Sequence, residues 1–136
     1  MAVRAPASGV IAATVGDRPD DHSFSPEESK TSPNALFGNY VIIDHENGSF
    51  SMLAHVKQHS VKVRQGERVK AGQVVAAIGA SGSSLFPHLH YQLVDGPTMS
   101  GEGIPSYFRR LKRLRGTRAE DVPFGQIDSG DIVVSP

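Results

Sequence analysis

The 136-residue sequence contains no cysteine, which excludes a disulfide framework, a thiolate metal site and a cysteine nucleophile. Basic and acidic residues balance at 14 each, so no global field would attract nucleic acid or an anionic membrane. No apolar run approaches the roughly 20 residues that a membrane-spanning helix needs. Residues 1–16 make a poor signal peptide, because Pro6 and Gly9 interrupt their apolar run. We therefore expect one globular domain with no nucleic-acid partner and no membrane span.

Short apolar segments, many rich in β-branched residues, follow one another along most of the chain. The pair Asn47-Gly48 is a strong signal for a tight β-hairpin turn between two of them. Several short strands at this spacing predict an all-β fold, a mostly antiparallel sandwich or barrel-like sheet. The predicted strands cover residues 10–15, 39–44, 50–56, 61–63, 74–78 and 89–94.

Two stretches depart from this strand pattern. Residues 16–35 are polar and proline-rich and predict a loop of about 20 residues, a length that is usually functional or disordered. Residues 104–116 predict one peripheral C-terminal helix that ends at Gly116, with arginines such as Arg110 and Arg113 in solvent. The residues at helical spacing, expected to pack on the body, are Tyr107, Phe108, Leu111 and Leu114. The polar tail, residues 117–136, ends in a predicted edge strand at 132–134.

Two histidines, His88 and His90, lie two residues apart after a Gly/Ser-rich loop. In a strand, residues i and i+2 point to the same face, so their imidazoles should project side by side, away from Leu89 and Tyr91. Such a pair suits two metal ligands, or one metal ligand and one proton carrier. The alternative is a pair of solvent-facing histidines on an amphipathic strand, and the spacing alone does not separate the two.

His55, at the end of the predicted strand 50–56, is the third histidine of interest. If the sheet brings it to His88 and His90, three neutral imidazoles could bind zinc with an open water position. Alternatively, some could bind metal while others move protons or stabilise charge. The other histidines are expected to be structural or exposed: His45 and His59, and His22, which follows two aspartates in what we interpret as a solvated acidic loop.

Four ordered motifs resemble the lysostaphin-type, LytM-like zinc metallopeptidases, over roughly residues 3–97. They are the segments 38–48 (GNYVIIDHENG), 54–56 (AHV), 69–73 (VKAGQ) and 87–90 (PHLH). The resemblance implies that His90 is a zinc ligand and that His55 and His88 are a catalytic pair. That pair would orient or deprotonate the attacking water and stabilise the oxyanion. It further implies Zn²⁺ as cofactor, peptidoglycan peptide as substrate, and a cell-envelope or extracellular location for the full-length protein.

The departures from that family pattern concern the metal. The family's other two zinc ligands are a His and an Asp in an H-x-x-x-D motif upstream of the segment that matches residues 3–10, and no residue here matches them. One ligand is fewer than the three that a catalytic zinc site uses. We therefore expect either an N-terminally incomplete peptidase domain, residues 1–116, or a degenerate module that binds cell wall or regulates another hydrolase.

A second resemblance covers residues 63–79 and concerns the biotinyl/lipoyl carrier domains. Those domains carry a modifiable lysine in a tight hairpin, usually beside methionine. The lysines of this region, Lys57, Lys62 and Lys70, have no neighbouring methionine. Gly66 and Gly72 explain the shared pattern better, because glycine permits the tight turns of any small β fold. The peptidase resemblance is therefore preferred.

Overall fold

The computed structural model describes residues 1–98 and 101–134 and is built mostly of antiparallel strands, as the sequence predicts. Its helical elements are one α-helix and one short 3-10 helix (Pro33–Phe37) within those ranges. The elements are β1 (Ala2–Arg4), β2 (Gly9–Val15), α1 (Pro26–Thr31), β3 (Tyr40–Asp44), β4 (Phe50–Ala54), β5 (Arg68–Val69), β6 (Val74–Ala77), β7 (His90–Val94), β8 (Phe108–Arg115), β9 (Arg118–Gly125) and β10 (Ile132–Val134).

A five-stranded antiparallel sheet in the order β5-β2-β3-β4-β7 organises the first part of the chain. Its middle strand, β3, is covered on both faces: Val41 and Ile43 join one apolar cluster, and Ile42 joins the other. Antiparallel pairing with β2 on one side and β4 on the other sets its register. That register places Ala54, at the end of β4, opposite His90 on β7.

The strands β1 and β6 form a second, two-stranded antiparallel sheet. Their side chains Val3, Val75 and Ala76 enter the same apolar cluster as Val41. The strand predicted at residues 61–63 is not formed as regular structure. Val61 and Val63 still pack against this cluster, so their apolar character comes from core contact and not from a ladder.

Residues 16–35, predicted as one long loop, contain α1 and the beginning of the 3-10 helix. Two side chains of this segment attach it to the Gly/Ser loop at residues 79–84. Asp20 Oδ1 accepts a hydrogen bond of 2.6 Å from the Ala80 N–H. His22 Nδ1–H donates one of 2.8 Å to the Ser84 carbonyl. The segment is therefore tied to the loop that precedes His88.

The predicted C-terminal helix at residues 104–116 is wrong, because most of that stretch is the strand β8. β8 pairs with β9 across a short turn at Gly116, which has a φ of +61°. Tyr107 is more than half exposed, and Arg113 is largely buried, opposite to the predicted faces. A spacing of three residues between leucines fits a helix, but the positive-φ glycine favours a hairpin, and the cross-strand partners lie beyond the window in which the helical period was counted.

Contacts between residues divide the chain into two units, Met1–Ile104 and Pro105–Pro136. The second unit is a three-stranded antiparallel sheet in the order β10-β8-β9, with Ile132–Val134 at its edge. An ion pair joins β8 to the residue before β10: Arg113 Nη2 lies 3.0 Å from Asp131 Oδ2, and the Asp131 side chain is only 8% exposed. Across the described ranges, no helix has the length and apolar character needed to cross a membrane.

We expect Asp131→Asn to destabilise the second unit by about 1–3 kcal/mol, since it removes the charge that faces a largely buried guanidinium. Asp121→Asn is the matched control, because that side chain is 83% exposed and lies 3.5 Å from Lys112, where an ion pair is worth about 0–1 kcal/mol. Amide hydrogen exchange of β8 and β10 measures both. Equal protection of these amides from exchange in the two variants would contradict a stabilising role for the Arg113–Asp131 ion pair.

Gly38 lies at a position where the fold leaves no room for a side chain. Its φ is +62°, and a Cβ placed there would lie 2.4 Å from the Gly82 nitrogen and from the Ser81 carbonyl carbon. Gly38→Ala should therefore cost about 3 kcal/mol or more, from left-handed strain and overpacking together. The control is Gly66→Ala, where φ is +85° but a Cβ meets open space, so about 1–2 kcal/mol is expected. Urea unfolding distinguishes the variants, and similar losses would refute the close approach.

Candidate active site

His55 follows directly on β4 and is almost fully buried, with 5% of its surface exposed. Its backbone adopts the left-handed region, with a φ of +59°, which is rare for a residue with a Cβ. Two backbone hydrogen bonds of 3.0 Å hold it there: the His55 N–H donates to Phe37 O, and the Gly79 N–H donates to His55 O. The end of β4 therefore turns the imidazole inward, toward β7.

The His55 ring has a defined protonation pattern. Nδ1 lies 2.8 Å from the Ser81 carbonyl oxygen, which only accepts hydrogen bonds, so Nδ1 carries the proton and Nε2 is the basic nitrogen of the neutral ring. Burial lowers the pKa of His55, and nearby His88 and His90 lower it further, while the bond to Ser81 opposes them. His55 is therefore neutral near pH 7.

His88 and His90 lie beside His55. The ring centroids of His55 and His88 are 4.8 Å apart, and those of His55 and His90 are 5.7 Å apart. The predicted convergence of the three histidines is therefore present, although 33 residues separate His55 from His88. Leu89 and Tyr91, between and beyond them, pack against the core as the alternation predicts.

Hydrogen bonds also orient the rings of His88 and His90. His88 Nδ1–H donates to the Phe86 carbonyl at 2.9 Å, so its neutral ring has the lone pair at Nε2. His90 Nε2 lies 2.9 Å from Gln92 Oε1, which places the proton on Nε2 and the lone pair on Nδ1. The His90 ring also lies 5.4 Å from that of Phe37. Each imidazole thus keeps one basic nitrogen.

The described residues do not form a complete zinc site. Among residues 1–98 and 101–134, no group of three or more His, Cys, Asp or Glu side chains is arranged to hold a metal ion. The basic nitrogens of the three rings do not make a closed donor set, and no carboxylate joins them. The described residues thus provide His90 as a candidate ligand without completing the three ligands that a catalytic zinc site uses.

The remaining histidines have contacts of other kinds. His45 bridges Ser8 O and Ser51 Oγ, at 2.8 and 2.7 Å, and so connects the residue before β2 to β4. His59 is exposed. The acidic residues before His22 are engaged with backbone: Asp20 with Ala80, and Asp21 with the Ser23 N–H at 3.0 Å. No ligand cluster forms there within the described chain.

Two buried polar residues next to this site, Asn39 and Ser81, were not singled out by the sequence analysis. Both have zero exposure, and Ser81 supplies the carbonyl that faces His55. A polar residue between Gly38 and the apolar run of β3 is a weak signal of a structural hydrogen bond. A serine in a Gly/Ser loop carries even less information, because such loops are usually solvated.

The chain belongs to Peptidase family M23, whose sequence model matches residues 1–100. Curated relatives match up to about half of the chain. The peptidoglycan DD-endopeptidase ShyC of Vibrio cholerae is 44% identical over 68 residues, 49% of this chain but only 15% of ShyC. Lipoprotein NlpD of Yersinia enterocolitica is 40% identical over 62 residues, 44% of this chain and 61% of NlpD.

Solved structures share the fold. The catalytic domain of the prophage-encoded M23 protein EnpA from Enterococcus faecalis, in a mutant form, aligns with a TM-score of 0.57 and 25% identity, over 76% of this chain and 65% of that one. The catalytic domain of lysostaphin from Staphylococcus simulans aligns with a TM-score of 0.52 and 26% identity, over 71% and 60%. The chain therefore spans less than two thirds of each of these relatives.

The low pKa of His55 has a consequence for stability. In the unfolded chain His55 protonates near its ordinary pKa of about 6.5, above its folded pKa, so the unfolded state binds more protons between the two values. With EDTA present to remove metal ions, we expect the free energy of unfolding to include the full contribution of neutral His55 above pH 6.5. Below that pH the free energy of unfolding should fall toward the folded pKa, by at most about 1.4 kcal/mol per pH unit.

His55→Gln should reduce this slope in urea unfolding, whereas the exposed His59→Gln should leave it intact. The difference in slope between the two variants is the informative quantity. An unchanged slope in His55→Gln would show that His55 is not the group responsible.

Proposed function

We propose that this chain acts on bacterial peptidoglycan as the peptidase domain of a zinc-dependent endopeptidase that hydrolyses peptide bonds. The observation that carries the proposal is the convergence of His55, His88 and His90 in a chain that belongs to family M23. Relatives in that comparison are called peptidoglycan DD-endopeptidases and a lipoprotein, which supports a cell-wall substrate and a cell-envelope location.

In this proposal His55 and His88 are the catalytic pair. In each ring Nδ1–H bonds to a backbone carbonyl, which leaves Nε2 as the basic nitrogen. One of the two rings can therefore accept a proton from the attacking water. The other ring, after taking up a proton from solvent at Nε2, can donate a hydrogen bond to the carbonyl oxygen as negative charge develops on it. The two rings are close enough, at 4.8 Å, to serve one peptide bond.

His90 is the proposed zinc ligand, through Nδ1, since Gln92 engages Nε2. Zinc, when bound, supplies Lewis-acid polarisation of the amide and a more acidic water. The described residues do not complete the ligand set, so zinc dependence rests on the family resemblance. The segment 16–35 and the Gly/Ser loop, joined through Asp20 and His22, would wall the substrate groove.

The second candidate function is a degenerate, non-catalytic module that binds cell wall or regulates another hydrolase. The absence of a three-donor group among the described residues favours it. The buried, oriented His55 favours the enzyme, because a module without chemistry has no physical need for it. The two functions differ in what happens when the missing donors are supplied.

We expect the 136-residue chain to bind zinc weakly and to cleave peptidoglycan poorly, because His90 and its neighbours offer too few fixed donors. Fusing a family H-x-x-x-D segment to its N-terminus should produce tight binding and cleavage. In the fusion, His90→Ala should abolish both, and His88→Ala should spare zinc but reduce turnover by about 10²–10⁴-fold, as for a lost general base. Calorimetric zinc titration and a cell-wall turbidity assay measure these quantities.

The exposed His59→Ala is the control in the fusion and should change neither quantity. Tight stoichiometric zinc with cleavage by the unextended chain would contradict the incomplete ligand set. A fusion that binds zinc tightly but leaves cell walls intact would favour the non-catalytic module.

A further inference from the structure

We propose that Ser81 is the positioning residue for His55: its carbonyl selects the tautomer of the imidazole, and its hydroxyl anchors that carbonyl. The significance of this arrangement for catalysis rests on the proposed function, in which Nε2 of His55 must be free to exchange a proton. The arrangement itself depends only on contacts among described, buried residues.

The first step concerns the tautomer. A neutral histidine carries its proton on either ring nitrogen, and only one of the two forms offers a basic Nε2. The Ser81 carbonyl oxygen, 2.8 Å from Nδ1, accepts a hydrogen bond but cannot donate one. The other tautomer would set two lone pairs against each other in a buried place, so it is excluded as long as this carbonyl stays where it is.

The second step concerns what holds the carbonyl. The Ser81 hydroxyl accepts a hydrogen bond of 3.0 Å from the Asn39 N–H and donates one of 2.8 Å to the Val56 carbonyl. Val56 is the residue after His55. The Ser81 hydroxyl therefore bonds to the backbone next to His55, while the Ser81 carbonyl bonds to the His55 ring. Together the two bonds fix the position of the carbonyl relative to the ring.

The third step concerns Asn39, which closes the cluster on its far side. Its Nδ2 donates to Val56 O at 3.3 Å and to Arg18 O at 2.9 Å, and its Oδ1 accepts from the Arg18 N–H at 2.9 Å. Because the side-chain polar atoms of Asn39 and Ser81 all have partners without exposure to water, the cluster is expected to be rigid. A rigid cluster also restricts the His55 ring, because the ring is bonded to the Ser81 carbonyl.

A purely structural role for Ser81 makes a different prediction. In that case its loss would lower stability but leave the tautomer of His55 unchanged, since the carbonyl belongs to the backbone and would persist. The tautomer is therefore the property that separates positioning from mere packing, and it can be read without substrate or metal.

Long-range ¹⁵N–¹H correlation spectra of the full chain in EDTA, at a pH where the rings are neutral, report the tautomer. Wild type and the exposed Ser83→Ala control should show His55 protonated on Nδ1, with the other form below detection. Ser81→Ala should show a mixture, with the Nε2–H form raised several-fold to a measurable population. The Ser81 hydroxyl proton of the wild type should exchange slowly and lie close to the Asn39 amide proton.

A wild-type His55 protonated mainly on Nε2 would overturn the proposal, and so would a folded Ser81→Ala with the wild-type tautomer. If Ser81→Ala does not fold, the exchange rate of the Ser81 hydroxyl proton in the wild type tests the proposal. Rapid exchange would contradict the claim that this hydroxyl anchors the Ser81 carbonyl, and slow exchange of a proton close to the Asn39 amide would support it. The predicted tautomer together with a chain that remains inactive in the H-x-x-x-D fusion would count against the proposed function alone.

Discussion

The close approach of two backbone segments, at Gly38 and at Ser81–Gly82, is the constraint on which the site depends. Both glycines have positive φ, and a Cβ on either would lie 2.4 Å from atoms of the other segment. This contact brings the entrance of β3 against the Gly/Ser loop. As a result, the loop's Ser81 carbonyl reaches His55 at the end of β4, and the loop then leads to His88.

Burial determines the electrostatics of the cluster that this contact assembles. The rings of His88 and His90 both lie within 6 Å of the His55 ring. Burial lowers the pKa of His55, and the proximity of the other two imidazoles lowers it further, since like charges disfavour protonation. In the neutral form of each ring, the nitrogen that stays free is determined by a neighbouring acceptor: a backbone carbonyl for His55 and for His88, and the Gln92 amide oxygen for His90.

The sequence predicted the parts of this architecture that depend on local pattern. The apolar run of β3, the Asn47-Gly48 turn and the same-side placement of His88 and His90 each follow from two-residue alternation or turn chemistry. The helix predicted at 104–116 failed because the strand partners of β8 lie after Gly116. The roles of His55, His88 and His90, and the domain boundary after Gly116, stay predictions.

Ser81 and Asn39 were not predictable by the same means. Their contacts join positions 42 residues apart in sequence, and no periodicity or motif spacing reports a bond between a loop hydroxyl and a distant amide. A buried serine in such a loop resembles a solvated one until the chain is folded. The sequence pattern therefore predicted which histidines form the candidate site, whereas the folded structure was needed to identify the residues that orient their rings.

The backbone of His55 provides an independent argument about function. A non-glycine residue in the left-handed region costs about 1–2 kcal/mol, and a buried imidazole adds the cost of desolvation unless its polar atoms are bonded. Glycine would relieve the strain at this position, and an apolar side chain would avoid the desolvation. A fold that requires neither the strain nor the imidazole has no stability reason to keep both. Strained, buried and hydrogen-bonded residues of this kind cluster at functional sites, so the conformation of His55 favours the catalytic proposal over a purely structural role.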